Sequence, residues 1–101
     1  MFRYFGMVVA VMVTVPAFAE TEKEINCGYQ ADVVEAIKQA RIGGVAQEDL
    51  SSTLAAGAGW PDKYNNIIPI LAPSIYEKSP EQLAEEDLAS WWRGECMKLD
   101  Q

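Results

Sequence analysis

Apolar residues return every three or four positions over most of this chain, the period of an α-helix that buries one face. From near Cys27 to about Arg41, Tyr29, Val33, Ala36, Ile37 and Ala40 share one side, and Asp32, Glu35 and Lys38 take the other. This predicts a first helix. Gly43-Gly44 stops it, because glycine accepts the left-handed backbone at a helix end. The charged stretch Glu20 to Glu24 ahead of it is expected to fray. A second, short helix is predicted over Gln47 to Ala56, with Leu50 and Leu54 facing inward one turn apart. Glu48 and Asp49 occupy its first turn, where the helix dipole favours negative charge. Ala55 to Gly59 is small and reads as its end running into a loop.

Trp60-Pro61-Asp62 opens a third helix, along which Ile67, Ile68, Leu71, Ile75 and Tyr76 keep helical spacing. Pro69 and Pro73 fall inside it; each lacks an amide donor and crowds the preceding turn, so a kink or break is expected from Ile68 to Ala72. A bent helix wrapping the core accounts for this. The alternative is a kink that frees carbonyls near Asn65 and Asn66 for a ligand. Ser79-Pro80-Glu81-Gln82 has the form of a capping box, with serine at the cap, proline at the first helical position and glutamine at the third. A last helix follows to about Met97, its inner face given by Ala84, Leu88, Trp91 or Trp92, and Cys96. The fold class predicted is all-α, a small bundle of about four helices.

The N-terminus breaks this pattern. Arg3 precedes an uncharged apolar run from Phe5 to Val15, Pro16 interrupts it, and Ala17-Phe18-Ala19 places small residues where a signal peptidase reads. Residues 1–19 are expected to be a signal peptide cut before Glu20, leaving 20–101 as one helical domain. The run is short of the roughly 20 residues a membrane span takes, so no stable anchor is expected after cleavage. Glu20 rather than cysteine follows the cut, so nothing indicates a lipoprotein. The expected location is the periplasm or the exterior.

Removing 19 of 101 residues leaves 82, near the lower limit for a core that holds a fold unaided. Two cysteines in an exported chain point to a disulfide, and Cys27–Cys96 would enclose nearly the whole domain. An intermolecular bridge or two free thiols are the other readings. Charge narrows the partners. The whole chain has 8 lysines and arginines against 15 acidic residues, and loss of Arg3 leaves 7 against 15. Such a surface repels nucleic acid and anionic lipid.

Candidate chemistry is sparse. With no histidine, the chain lacks the commonest general base and metal ligand. No Cys-x-x-Cys pair and no glycine-rich phosphate loop is present. The cluster Glu85-Glu86-Asp87 reads as a solvated helix face, since consecutive helical residues diverge by about 100°. No cofactor or metal is indicated. The aromatics carry more information. Adjacent Trp91 and Trp92 cannot both centre on one helix face, so one is expected in the core and the other at its margin, beside Arg93. Trp, Tyr and Arg dominate interface hot spots, which makes Trp91, Trp92, Arg93, Trp60 and Tyr64 the candidate partner-binding residues.

Cys27, the run Ala36, Ile37 and Arg41, the step Arg41-Ile42-Gly43-Gly44, Ile75-Tyr76 and the final Cys96 together resemble a type of short exported proteobacterial helical protein. In that type a cysteine opens the first helix, an Arg-x-x-Gly step ends it and a last cysteine closes the final helix. Ala46 departs from the pattern, where a Ser or Thr cap is expected. The design is also similar to acid-activated periplasmic chaperones and to periplasmic immunity proteins. Three functions follow as expectations. The first is a non-enzymatic protein that binds another periplasmic or secreted protein as inhibitor, immunity protein or accessory subunit. The second is an acid-stress chaperone, and the third a small carboxylate-based hydrolase.

Overall fold

The computed structural model describes residues 21–99, so the signal segment and its cut at Ala17, Ala19 and Glu20 lie outside the described residues. Within them the chain is all-α: α1 (Glu22–Ile42), α2 (Leu50–Ala56), α3 (Ile68–Tyr76), α4 (Pro80–Glu85) and α5 (Leu88–Lys98). Tighter 3-10 segments, Gln47–Asp49 and Asp62–Ile67, lead into α2 and α3.

Helix α1 starts earlier than its apolar period suggests. Thr21 accepts from the Glu24 N–H at 3.1 Å, and the Glu24 carboxylate accepts from the Thr21 N–H at 2.8 Å. This reciprocal cap, reinforced by Glu22 and Glu24 in a first turn that favours anions, holds the stretch expected to fray. At the other end Gly44 adopts φ +88°, as a left-handed terminus requires. Val45 N–H returns to the Ala40 carbonyl at 2.9 Å and Gly44 N–H to that of Arg41 at 3.2 Å. That pair of bonds is the Schellman motif.

α1 is the central helix, touched by each of the others. Its buried positions therefore form two rows, Val33, Ile37 and Ala40 beside Cys27, Ala31, Val34 and Lys38. The core adds Leu50, Tyr64, Ile68, Ala72, Ile75 and Leu83. The Arg41, glycine and Tyr76 elements of the sequence meet here. Arg41 Nε donates to the Lys78 carbonyl at 3.1 Å and its guanidinium lies 5.4 Å from the Tyr76 ring centre. The Tyr76 hydroxyl donates to the Val45 carbonyl at 2.8 Å. Burial raises the Tyr76 pKa, against the opposing pull of Arg41.

Three predicted helices are each divided, the second into the 3-10 segment Gln47–Asp49 and α2. The third becomes the 3-10 segment Asp62–Ile67 followed by α3, with the change just before Pro69. Pro69 then sits in the first turn of α3, where its missing donor costs little, and Pro73 is the one inside. No ligand-facing carbonyl is freed at Asn65, whose carbonyl accepts from the Ile68 N–H. The last predicted helix becomes α4 and α5, separated by extended backbone at Glu86. The Ser79–Gln82 capping box is present in both directions, each bond 3.1 Å. Asp87 caps α5 by accepting from the Ser90 N–H at 3.2 Å. The break resets the helical phase, so Leu83 is fully buried and Ala84 is exposed, the reverse of the expected inner face. Glu85-Glu86-Asp87 thus forms a joint between helices rather than one helix face.

Lys38 explains the joint. Its position on α1 was expected to be polar and solvated, yet the residue is 9% exposed. Its stem packs in the row with Val34, and its ammonium donates to the Glu86 carbonyl at 2.6 Å. That bond satisfies a carbonyl released where α4 ends. The disulfide joins Cys27 and Cys96, both buried, across a separation of 69 residues. No cysteine is left free.

Candidate functional site

The five candidate aromatic and arginine positions do not form one cluster. Tyr64 is 6% exposed, so it belongs to the core rather than to a binding surface. Its hydroxyl donates to Asn26 Oδ1 at 2.7 Å and its ring lies 5.2 Å from that of Tyr29. Trp60 is half-buried, and its indole N–H donates to Asn65 Oδ1 at 2.8 Å. Both residues therefore fasten the 3-10 segment. Arg93 is exposed on the other side of α5, in a shallow hollow with Gly28, Tyr29 and Asp32 of α1.

The two adjacent tryptophans separate as their 100° offset demands. Trp92 turns toward α1 and donates its indole N–H to Gln30 Oε1 at 3.0 Å. Trp91 is 59% exposed. Both border a groove of about 320 Å³ between α3 and α5. These helices each pack on α1 rather than chiefly on one another, and Val34 of α1 lines the groove between them. Leu71, Ile75 and Lys78 form one wall, Leu88 and the tryptophans the other. Ser74, exposed, completes the α3 wall.

A second hollow of about 420 Å³ continues from this groove, sharing Lys78, Leu88 and Trp91 and adding Glu86 and Asp87. Lys78 Nζ lies 3.0 Å from Glu86 Oε1 and donates to Oε2 at 3.3 Å. Oε1 is shielded from water and accepts no hydrogen bond, so its contact with the ammonium is electrostatic. Hydrogen bonding from Ser90, by side chain and then backbone, lowers the Asp87 pKa. A larger hollow, about 500 Å³ at the start of α1, is mostly rimmed by polar and charged residues such as Glu22, Lys23 and Lys63.

Chemically, the α3–α5 groove offers apolar burial, an exposed indole and carboxylates at one end. Among the described residues no group of acidic residues and cysteines has the geometry of a metal site. No described helix is long and apolar enough to cross a membrane. Comparison with protein-family models, with curated proteins and with solved structures finds no match. Sequence reasoning named Trp91 and Trp92 but missed the groove that gives them a context. The signal lay in two spaced rows, Leu71, Ile75 and Lys78, and Leu88 with Trp91 and Trp92. Nothing local states that these rows border one opening.

Proposed function

We propose that this protein is exported and acts by binding another protein through the groove between α3 and α5, as an inhibitor, immunity protein or accessory subunit. The observation that carries this reading is Trp91, more than half exposed beside an apolar groove on a helix fastened by a disulfide. A large aromatic left at the edge of an apolar opening gains most when a partner removes it from water. Export is supported by the pattern of residues 1–19 and by a disulfide suited to an oxidising compartment.

The test is site-directed photo-crosslinking in cells that secrete the full-length sequence. A photoreactive residue replaces Ser74 on the groove wall or, as control, exposed Thr53 on α2. A discrete adduct from position 74 that is lost with Trp91→Ala supports the reading. No adduct at position 74, or equal adducts at both positions, counts against it.

A further inference from the structure

The partner's chemistry is written at the end of the groove. We propose that it presents a basic segment, with an apolar side chain entering between α3 and α5 and an adjacent arginine lying over Trp91 against Asp87. The inference rests on the binding function above and specifies its partner.

Asp87 and Trp91 lie one helical turn apart, as the 3.2 Å bond from the Trp91 N–H to the Asp87 carbonyl shows. With Leu88 they border the same hollow. Asp87 is exposed; its Oδ1 accepts from the Ser90 N–H, the Ser90 side chain also donates to the carboxylate, and no ion pair engages it among the described residues. An exposed indole face beside an exposed carboxylate is a receptor for a planar cation. The ring quadrupole attracts the charge and the carboxylate accepts its N–H groups. Arginine fits better than lysine because its guanidinium stacks flat and presents several donors at once.

The protein's own cations make no ion pair with Asp87 among the described residues, although the Lys38 ammonium acts on it through space. Lys78 is engaged by Glu86, and Lys38 is buried with its ammonium on the Glu86 carbonyl. Among the described residues the cation–aromatic contacts involve Tyr76 and Tyr64, not Trp91. Long-range charge selects the occupant in the same sense. With 15 acidic residues against 8 basic, the chain repels a second copy of itself and an anionic bilayer, and attracts a basic partner. The apolar groove is continuous with the hollow at Trp91, so an apolar anchor next to the arginine is buried in the same event.

The experiment is an NMR titration of isotopically labelled protein expressed from its full-length sequence. The indole N–H signals of Trp60, Trp91 and Trp92 serve as three separate reporters. The probes are acetylated, amidated tripeptides of two leucines flanking arginine, citrulline or glutamate. The arginine peptide is expected to shift Trp91 and Leu88 saturably. The citrulline peptide should bind at least about threefold more weakly, and the glutamate peptide should not bind, as expected where a charge-assisted contact decides. Asp87→Asn, which keeps a side chain able to cap α5, should abolish the preference for arginine over citrulline. Trp91→Ala should remove binding.

Equal affinity for the three peptides overturns the proposal, as does a response confined to Trp60. So does the absence of any shift up to about 5 mM peptide, beyond a millimolar Kd. Concentration-dependent shifts of Trp91 in the protein alone would instead assign the groove to a second copy. Shifts induced by phosphatidylglycerol vesicles would assign it to a membrane. If the position 74 adduct survives Asp87→Asn undiminished, the basic partner is wrong while the binding function stands; loss of every adduct removes the function itself.

Discussion

The two sides of α5 are built on opposite principles. Toward α1 it is held by unlike contacts at successive turns: Ala89 packs on the core, Trp92 donates to Gln30, and Cys96 is bonded to Cys27. Toward α3 it leaves Leu88 and Trp91 along an unfilled groove. The first side is the reason the second persists. Apolar walls tend to close on each other to escape water. A helix fastened from behind at its C-terminal end, and at its start by the Asp87 cap and the nearby Lys38 bond, resists moving across to α3.

The strongest way to break this contrast is to release the bridge. Replacing both cysteines with alanine frees a 69-residue separation, which the chain-entropy model values at about 4 kcal/mol. Urea denaturation followed by circular dichroism is expected to show a loss of that order, a large share of the stability of so small a domain. The adjacent tryptophans give a finer test. Trp92→Ala removes core-edge packing and strands Gln30, so about 2 kcal/mol of destabilisation is expected. Trp91→Ala is expected to change stability by less than about 0.5 kcal/mol, since the side chain is mostly in water. Equal losses in the two variants would erase the distinction between a holding side and an open side.

A smaller effect concerns the path into the joint. Ser79→Ala removes one half of the α4 capping box and is expected to cost about 1 kcal/mol by the same measurement. The smallest effect is the pH response of Asp87. Its folded pKa lies below its ordinary value of 3.8, so it contributes stability that is present above that value. The contribution is lost as pH falls from the ordinary value through the lowered folded one. Stability measured on descending through that acid window should fall less in Asp87→Asn than in the parent protein, and the two should behave alike near neutrality.

Much of the fold was legible because its signals are local. The Ser79-Pro80-Glu81-Gln82 cap, the glycine stop after Arg41, and the period through Val33 and Ile37 each act within a few residues. The Thr21–Glu24 cap was equally local but was overlooked, because the charged segment around it lacks an apolar face. The α4–α5 break was hidden for a different reason. Glu85-Glu86-Asp87 does not forbid a helix, and the departure is fixed partly by a lysine 48 residues away. Of the candidate site, residue type singled out Trp91 and Trp92 correctly as unlike neighbours. Type alone also favoured Tyr64, which the core claims, since an aromatic ring serves burial and binding equally well.

By itself, then, the sequence determined an all-α chain, where most of its helices begin or end, and a single intramolecular pairing for its two cysteines. It also determined the acidic net charge of the chain. Tertiary structure alone decided that Lys38 is buried, that Leu83 rather than Ala84 faces inward, and that α3 and α5 stand apart over Val34. The reason is physical. Caps and periods are properties of neighbouring residues, whereas a groove exists only where two helices rest on a third and their distance from each other is set by everything beneath them.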